Sequence, residues 1–511
     1  MVKQLFMVVC GLLSMASVQA QPLLKTHVET GDVEGILEGT DLAVYKAIPF
    51  AAPPVGELRW KAPQPAKPWK GVLKAEECAK WPPQPERGDV SYDMMSEDCL
   101  YLSVVTPAKT VNDALPVMVY IHGGSFQTEH YGAELWQSLA RKGVVTVSIE
   151  YRAGALGFMA HPELSKESAD SKSGNYGMLD QIFALQWIQR NIKNFGGDPS
   201  KVTIFGESAG AMACNILCAS PMAKGLFRAC ISQSGAFMSS MNLINQQQAE
   251  MLGNMFMQQL QKTSIEEMRK MDTKSLTGTG VNFPACSPII DGKVLTDDVY
   301  QLYERGEYMD IPVIVMHNSD EGAVMDGLTA EQYKEQLKPL PLNYADSLMA
   351  IYPGTTDEEA FYSIRDVVRD LNFGWPAYAW LTLQKKTGKS PVYSAYLAQK
   401  SERTVYAKGN RRGAAHADDL LYLSGAFQKE ADKYPQEAAV SETMQQYWVN
   451  FAKTMNPNGA GLPNWPVYEE GKKTVMQFNN GATLIETPNM EGISLIDRFM
   501  KYIRGLRAQM Q

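Results

Sequence analysis

Gly206-Glu207-Ser208-Ala209-Gly210 is the stretch whose residue types and spacing together point to a reaction. A serine with glycines two places before and two places after it is a G-x-S-x-G nucleophile elbow. Such a turn brings the two glycines almost into contact, where a Cβ would clash. It holds the Ser208 hydroxyl strained and exposed, near the positive end of the helix that follows. The Ala209 amide then points at the place where a tetrahedral oxyanion would form. Glu207 lies close by, and its type alone gives it no role. The chemistry implied is attack on an acyl carbon and formation of a serine ester.

Serine is a poor nucleophile near neutral pH. It needs a base within hydrogen-bond reach, and the base needs a carboxylate to fix its tautomer. The chain has six histidines, so the base is argued by elimination. His27 falls in an opening hairpin, and His122 begins a glycine loop that it more naturally shapes. His130 and His161 fall in polar turns. His317 follows a strand directly, where a packed role fits. His416 remains, in the late loop Gly413-Ala-Ala-His-Ala-Asp-Asp-Leu420. Two adjacent residues, Asp320 and Glu321, compete as the carboxylate, and chemistry alone does not separate them. The order serine, acid, histidine is that of an α/β-hydrolase. His122-Gly-Gly-Ser-Phe126 can offer backbone amides to the same oxyanion.

The elements that must hold these residues follow from periodicity. Runs at 117–121, 144–149, 202–205, 228–232, 311–316 and 391–397 are short, apolar and β-branched, the pattern of strands buried on both faces. Residues 175–195 repeat apolar residues at helical spacing and stop at Gly196-Gly-Asp-Pro199. Strand, helix, strand predicts parallel pairing with right-handed crossovers. The fold class expected is α/β, with a large, mostly parallel sheet flanked by helices and carrying cap insertions. Sites in such sheets lie beyond the carboxyl ends of the strands. The stretches 122–126, 206–210, 317–322 and 413–420 all belong there. Residues 27–50 read as an antiparallel opening hairpin, 240–275 as helical and part of a cap over the site, and 474–478 as the last strand.

The bounds agree. With 511 residues, 20% of them charged, and a net charge of −8, the chain is built as a large enzyme and not as a nucleic-acid binder. Residues 1–20 read as a secretory signal: Lys3, a short apolar run, then Ala16-Ser-Val-Gln-Ala20, with a cut expected after Ala20. A lipid anchor at Cys10 ranks below this, because Val8-Val9 lacks the small residue expected there. No other run is long enough to span a bilayer. Residues 21–511 are expected to form a single domain. The predicted setting is periplasmic or secreted, where disulfides are permitted. Cys78 and Cys99 would close a proline-rich loop and are the favoured pair. Cys214, Cys218 and Cys230 read as packed thiols, and nothing points to a metal or a cofactor. The sequence is silent on oligomeric state.

Several motifs in order resemble the type-B carboxylesterase (carboxylesterase/cholinesterase) family over about residues 27–480. They are Ile48-Pro-Phe-Ala51 with Pro53-Pro-Val-Gly56, Glu97-Asp-Cys-Leu-Tyr-Leu102, His122-Gly-Gly, Gly174-Asn with Gly177 and Asp180-Gln, Phe205-Gly-Glu-Ser-Ala-Gly, Gln233-Ser-Gly, Asp320-Glu-Gly, and Tyr447-Trp with Asn450-Phe-Ala-Lys. The resemblance implies an α/β-hydrolase fold and hydrolysis of small-molecule carboxylic esters. It implies Ser208, Glu321 and His416 as the catalytic residues, with Glu321 chosen over Asp320. Gly124, Ser125 and Ala209 would be the oxyanion donors. It also implies the Cys78–Cys99 disulfide and an Arg59–Glu97 pair. Ser125 stands where the family commonly has a third glycine. Asp89 falls where cholinesterases place a choline-binding tryptophan, which argues against a choline ester. Acyl transfer to an alcohol would use the same residues. A binding module on this fold would have no need of them.

Overall fold

The computed structural model describes residues 21–510 other than 89, 131, 239–242, 279–286 and 408. The expected signal at 1–20, Cys10, Asp89 and Cys286 therefore lie outside the described residues.

The strands, in chain order, are β1 (Lys25–Val28), β2 (Gly31–Glu34), β3 (Ile36–Glu38), β4 (Leu42–Pro49), β5 (Val72–Lys74), β6 (Tyr101–Thr106) and β7 (Leu115–Ile121). They continue with β8 (Val145–Ile149), β9 (Gly197–Glu207), β10 (Ala229–Gln233), β11 (Val313–Asn318), β12 (Val392–Leu397), β13 (Thr474–Phe478) and β14 (Ala482–Glu486). β1, β2 and β5 make a small sheet, and the rest form one 11-stranded sheet in the order β14-β13-β12-β11-β10-β9-β7-β8-β6-β4-β3. From β8 across to β13 every pairing is parallel. Antiparallel strands close both margins. The strand expected to be last is followed by β14, an edge strand of which no residue is fully buried, although Ala482, Leu484 and Ile485 are apolar.

Alternation along the central strands explains why the sheet sits in the middle. Val117, Val119 and Ile121 of β7 enter one apolar cluster, and Met118 and Tyr120 enter the cluster on the other face. β11 divides Val313 and Val315 from Ile314 and Met316 in the same way. Both faces must therefore be covered by helices. Helices Tyr176–Asn191, Ala209–Ala219 and Trp375–Thr387 cover one face. Helix Pro435–Thr454, with Tyr447, Trp448 and Phe451, covers the other. Each large side chain so buried contributes roughly 1.5–3 kcal/mol.

Two buried ion pairs tie distant segments of the chain together. Arg152 grips Asp180 with Nε–Oδ2 at 2.8 Å and Nη2–Oδ1 at 2.7 Å. Arg59 Nε donates to Glu97 Oε2 at 2.8 Å, the pairing the family resemblance implied. The Cys78–Cys99 bridge is not formed. Cys99 is fully buried, where burial pushes its thiol well up, whereas Cys78 lies on an exposed stretch at a different depth. Cys214, Cys218 and Cys230 are buried behind the nucleophile elbow, with Cys230 in reach of both other thiols.

The segment expected as a cap over the site is placed differently. Helices Gln246–Gln259, Ile265–Arg269 and Thr273–Thr277 bury Phe256, Met257, Ile265, Met268 and Leu276 against Trp60, Leu156 and Tyr176. That apolar face lies to one side. Among the described residues, the space over Ser208 is walled instead by residues around 324, 368–376 and 406. Between helices Asp357–Arg369 and Trp375–Thr387 lies a π-helical turn, Asp370–Gly374.

Candidate active site

Ser208 sits between β9 and helix Ala209–Ala219, at φ 57° and ψ −125°, as the residue capping that helix. This backbone conformation costs on the order of 1–3 kcal/mol for a residue with a side chain. The glycines allow it. A Cβ on Gly206 would lie 2.5 Å from the Gly210 carbonyl carbon, and one on Gly210 would lie 2.0 Å from the Ile121 carbonyl oxygen. The Ser208 amide donates to the Gln233 carbonyl at 2.9 Å, which ties the elbow to the neighbouring strand.

His416 Nε2 is 2.9 Å from Ser208 Oγ, and His416 Nδ1 is 2.7 Å from Glu321 Oε2. The three side chains the family pattern selects are thus brought into one hydrogen-bonded line. Glu321 is fully buried. Its Oε1 accepts from Ser234 Oγ and from the Asn318 amide, both at 2.6 Å, so its orientation is fixed. Asp320 faces away, and its carboxylate accepts from the Arg412 amide at 2.5 Å and the Gly413 amide at 3.3 Å. Of the two adjacent acids, one reaches the imidazole and the other ties down the loop that carries it.

The other histidines fall as the elimination required, with changes of detail. His317 is buried edge-on to Tyr396, and burial pushes its pKa down to about 4. His122 stacks on Tyr151 at 4.1 Å beneath the glycine loop. His130 stacks on Trp81, and His161 is a buried helix cap, so neither is the solvated turn residue its surroundings suggested.

The loop after β7 runs through left-handed backbone at Gly124, Ser125 and Phe126 in succession, with φ of 82°, 56° and 60°. The Gly124 carbonyl accepts from the amides of Gln127 and Thr128, both at 2.9 Å. Among the described residues, the amides of Gly124, Ser125 and Ala209 have no protein acceptor. Gly124, Ser125 and Ser208 line the same cavity.

Around the imidazole the electrostatics are acidic. Burial works against a charged His416, but the carboxylates of Glu207, Glu321 and Asp419 outweigh it and push its pKa up to about 10. Glu207 Oε1 lies 3.4 Å from His416 Nε2, and burial pushes the Glu207 carboxyl well above the usual range. A protonated Glu207 withdraws the foremost of the charges acting on the imidazole. The two groups compete for one proton, and a Glu207 that holds it leaves His416 less strongly raised and so better able to act as a base. Asp419 is pushed up to about 6 by burial and is held by Asn318 and Gln233. Sequence reasoning missed the supporting parts played by Ser234, Gln233 and Asp419. Gln233-Ser-Gly was visible as a motif, but its contact with Glu321 exists only across strands.

The chain matches the carboxylesterase family over residues 20–494. It is 32% identical over 503 residues to the fumonisin B1 esterase of Sphingopyxis macrogoltabida, covering 93% of this chain and 90% of that protein. It is 31% identical to the para-nitrobenzyl esterase of Bacillus subtilis, covering 90% and 96% of the two chains. A solved PNB esterase superposes with a TM-score of 0.79 at 30% identity, over 94% of this chain and all of the other. Across nearly its whole length, then, the chain belongs to the carboxylesterase family, and it is a carboxylic ester hydrolase of the α/β-hydrolase fold.

Proposed function

We propose that Ser208, His416 and Glu321 carry the hydrolysis, with the amides of Gly124, Ser125 and Ala209 as the oxyanion hole. The continuous line from Ser208 Oγ through the imidazole to Glu321 is the observation that supports it most directly. His416 Nε2 takes the Ser208 proton as Oγ bonds to the ester carbonyl carbon, and the carbonyl oxygen becomes an oxyanion facing the three amides. The C–O bond to the alcohol then breaks, and the alkoxide leaves with the proton from Nε2. A water gives its proton to the same nitrogen and attacks the acyl-enzyme, and Ser208 is released with the acid. Glu321 stays ionised and steadies the imidazolium. Residues 1–20 are proposed to export the chain. N-terminal sequencing of exported protein should read from Gln21, and a retained Met1 would remove that part of the proposal.

The test of the chemistry is turnover of p-nitrophenyl esters beside Ser208→Ala, with a phosphonylating serine probe. Ser208→Ala is expected to lose on the order of 10⁴-fold or more in kcat and all labelling. A variant that keeps its rate or still labels would end the assignment.

A further inference from the structure

Two cavities meet at Ser208 and His416, and their walls differ in kind. One, of about 470 Å³, is lined by Met212, Ala236, Phe237, Val368, Leu371 and Phe373 among others. The second, of about 340 Å³, is lined by Arg87, Gln127, Thr128, Glu129, Glu207 and Tyr406. An ester with its carbonyl at Ser208 therefore places one arm against mostly apolar side chains, with Asn372 among them, and the other against hydrogen-bonding side chains.

The polar wall is built, not incidental. Arg87 Nη2 donates to Glu129 Oε1 at 2.9 Å, and the Tyr406 hydroxyl donates to the same oxygen at 2.7 Å. Glu129 stands at φ 83°, a left-handed conformation unusual for a residue with a side chain. The buried Gln84 clamps it there: the Glu129 amide donates to Gln84 Oε1 at 3.0 Å, and Gln84 Nε2 donates to the Glu129 carbonyl at 3.2 Å. Arg87 and Tyr406, distant from each other in sequence, thus converge on the Glu129 carboxylate at the cavity wall.

The position of the imidazole says which arm lies here. The leaving oxygen must reach His416 Nε2, and Nε2 points between Ser208 Oγ and Glu207 Oε1. Glu207 lines the polar cavity and not the apolar one. Ser208 and His416 line both cavities, and on the side of Nε2 that faces Glu207 the leaving alcohol would enter the polar cavity and the acyl chain the apolar one.

Charge narrows the class. Arg87 and Glu129 neutralise one another, and burial drives Glu207 towards its neutral form. Among the described residues lining this cavity, a fixed charge on the alcohol finds, outside the Arg87–Glu129 pair, only Glu207 and His416, which share a proton between them. Hydroxyl groups, which donate and accept, match the guanidinium, carboxylate, amide and phenol together. The geometry points to an ester of an apolar acid with an uncharged, hydroxyl-rich alcohol of about one ring in size, such as a sugar or cyclic polyol, read by Arg87, Glu129 and Tyr406. The inference rests on the Ser208–His416 reading of the site and deepens it.

The test compares 6-O-hexanoylglucose with cyclohexylmethyl hexanoate, which share an acyl chain and a ring–CH₂–O frame and differ in hydroxyls. Hexanoylcholine is the charged comparison, and p-nitrophenyl hexanoate with Ser208→Ala is the control. The expected result is a kcat/KM for the sugar ester about tenfold or more above the cyclohexyl ester. Arg87→Ala and Tyr406→Phe should each shrink that ratio severalfold, and Arg87→Ala should shrink it more. The inference is overturned if the cyclohexyl or choline ester is the better substrate, or if the ratio survives both substitutions. If wild type leaves p-nitrophenyl hexanoate intact, or Ser208→Ala still cleaves it, the serine reading itself fails and this one goes with it.

Discussion

The elbow at 206–210 and the loop at 123–129 bring backbone amides to the same point, yet they are strained for opposite reasons. In the elbow the unusual backbone sits on one residue, Ser208, and glycines flank it because neighbouring backbone leaves no room for a Cβ. In the loop the left-handed backbone falls on Ser125, Phe126 and Glu129, residues that do not choose it, and their surroundings impose it. Gln84 clamps Glu129, and the Gly154 amide donates to the Phe126 carbonyl at 2.7 Å. The elbow is thus written locally, whereas the loop is held from outside. A change of one residue should break the first, and loss of a distant clamp should loosen the second.

The largest effect should come from Gly210→Ala. Its Cβ would lie 2.0 Å from the Ile121 carbonyl oxygen, in backbone that cannot retreat. We expect a loss of 4 kcal/mol or more, on the order of the largest single-substitution costs, or no soluble protein, read by urea unfolding and yield. A variant near wild-type stability would show that the elbow has slack. Gln84→Ala should come next. It removes three side-chain hydrogen bonds, two to Glu129 and one to the Pro82 carbonyl, at about 1 kcal/mol each, so the urea midpoint should fall by the equivalent of roughly 3 kcal/mol while p-nitrophenyl ester turnover declines less than sugar-ester turnover. Equal declines would mean that Glu129 needs no clamp.

The smallest effect expected is on pH dependence. An ionised Glu207 raises the His416 pKa, so Glu207→Gln should lower it. The acid limb of kcat/KM, where His416 gains its proton, should then move to lower pH, by about one unit. An unmoved limb would show that Glu207 keeps its proton throughout the working range and that Glu321 and Asp419 alone set the imidazole.

What was legible in the sequence follows the same division. The elbow, the buried strands and the order serine, acid, histidine are encoded in contiguous residues, so periodicity and glycine spacing expose them. His416 could be reached by elimination because only six histidines exist. Choosing Glu321 over Asp320 needed the family pattern, since the difference lies in which side chain faces β10 and Ser234. The polar wall was invisible: Arg87, Glu129 and Tyr406 come from three loops with no periodic signal. The helices at 246–277 were recognised as helices, but their placement against Trp60 depends on which apolar face they find, and no local pattern records that. The cysteine pairing failed for a related reason, because depth in the fold is not a property of spacing.

The three thiols beneath the nucleophile helix have a further consequence. Cys214, Cys218 and Cys230 are shielded on every side, and burial holds Cys218 and Cys230 in the protonated, unreactive form. A thiol reagent can reach them only when the helix lifts from β10. Their modification rate under native conditions is therefore a clock for the opening of that part of the core. Read at increasing urea, it would separate local lifting of the Ser208 platform from unfolding of the whole sheet.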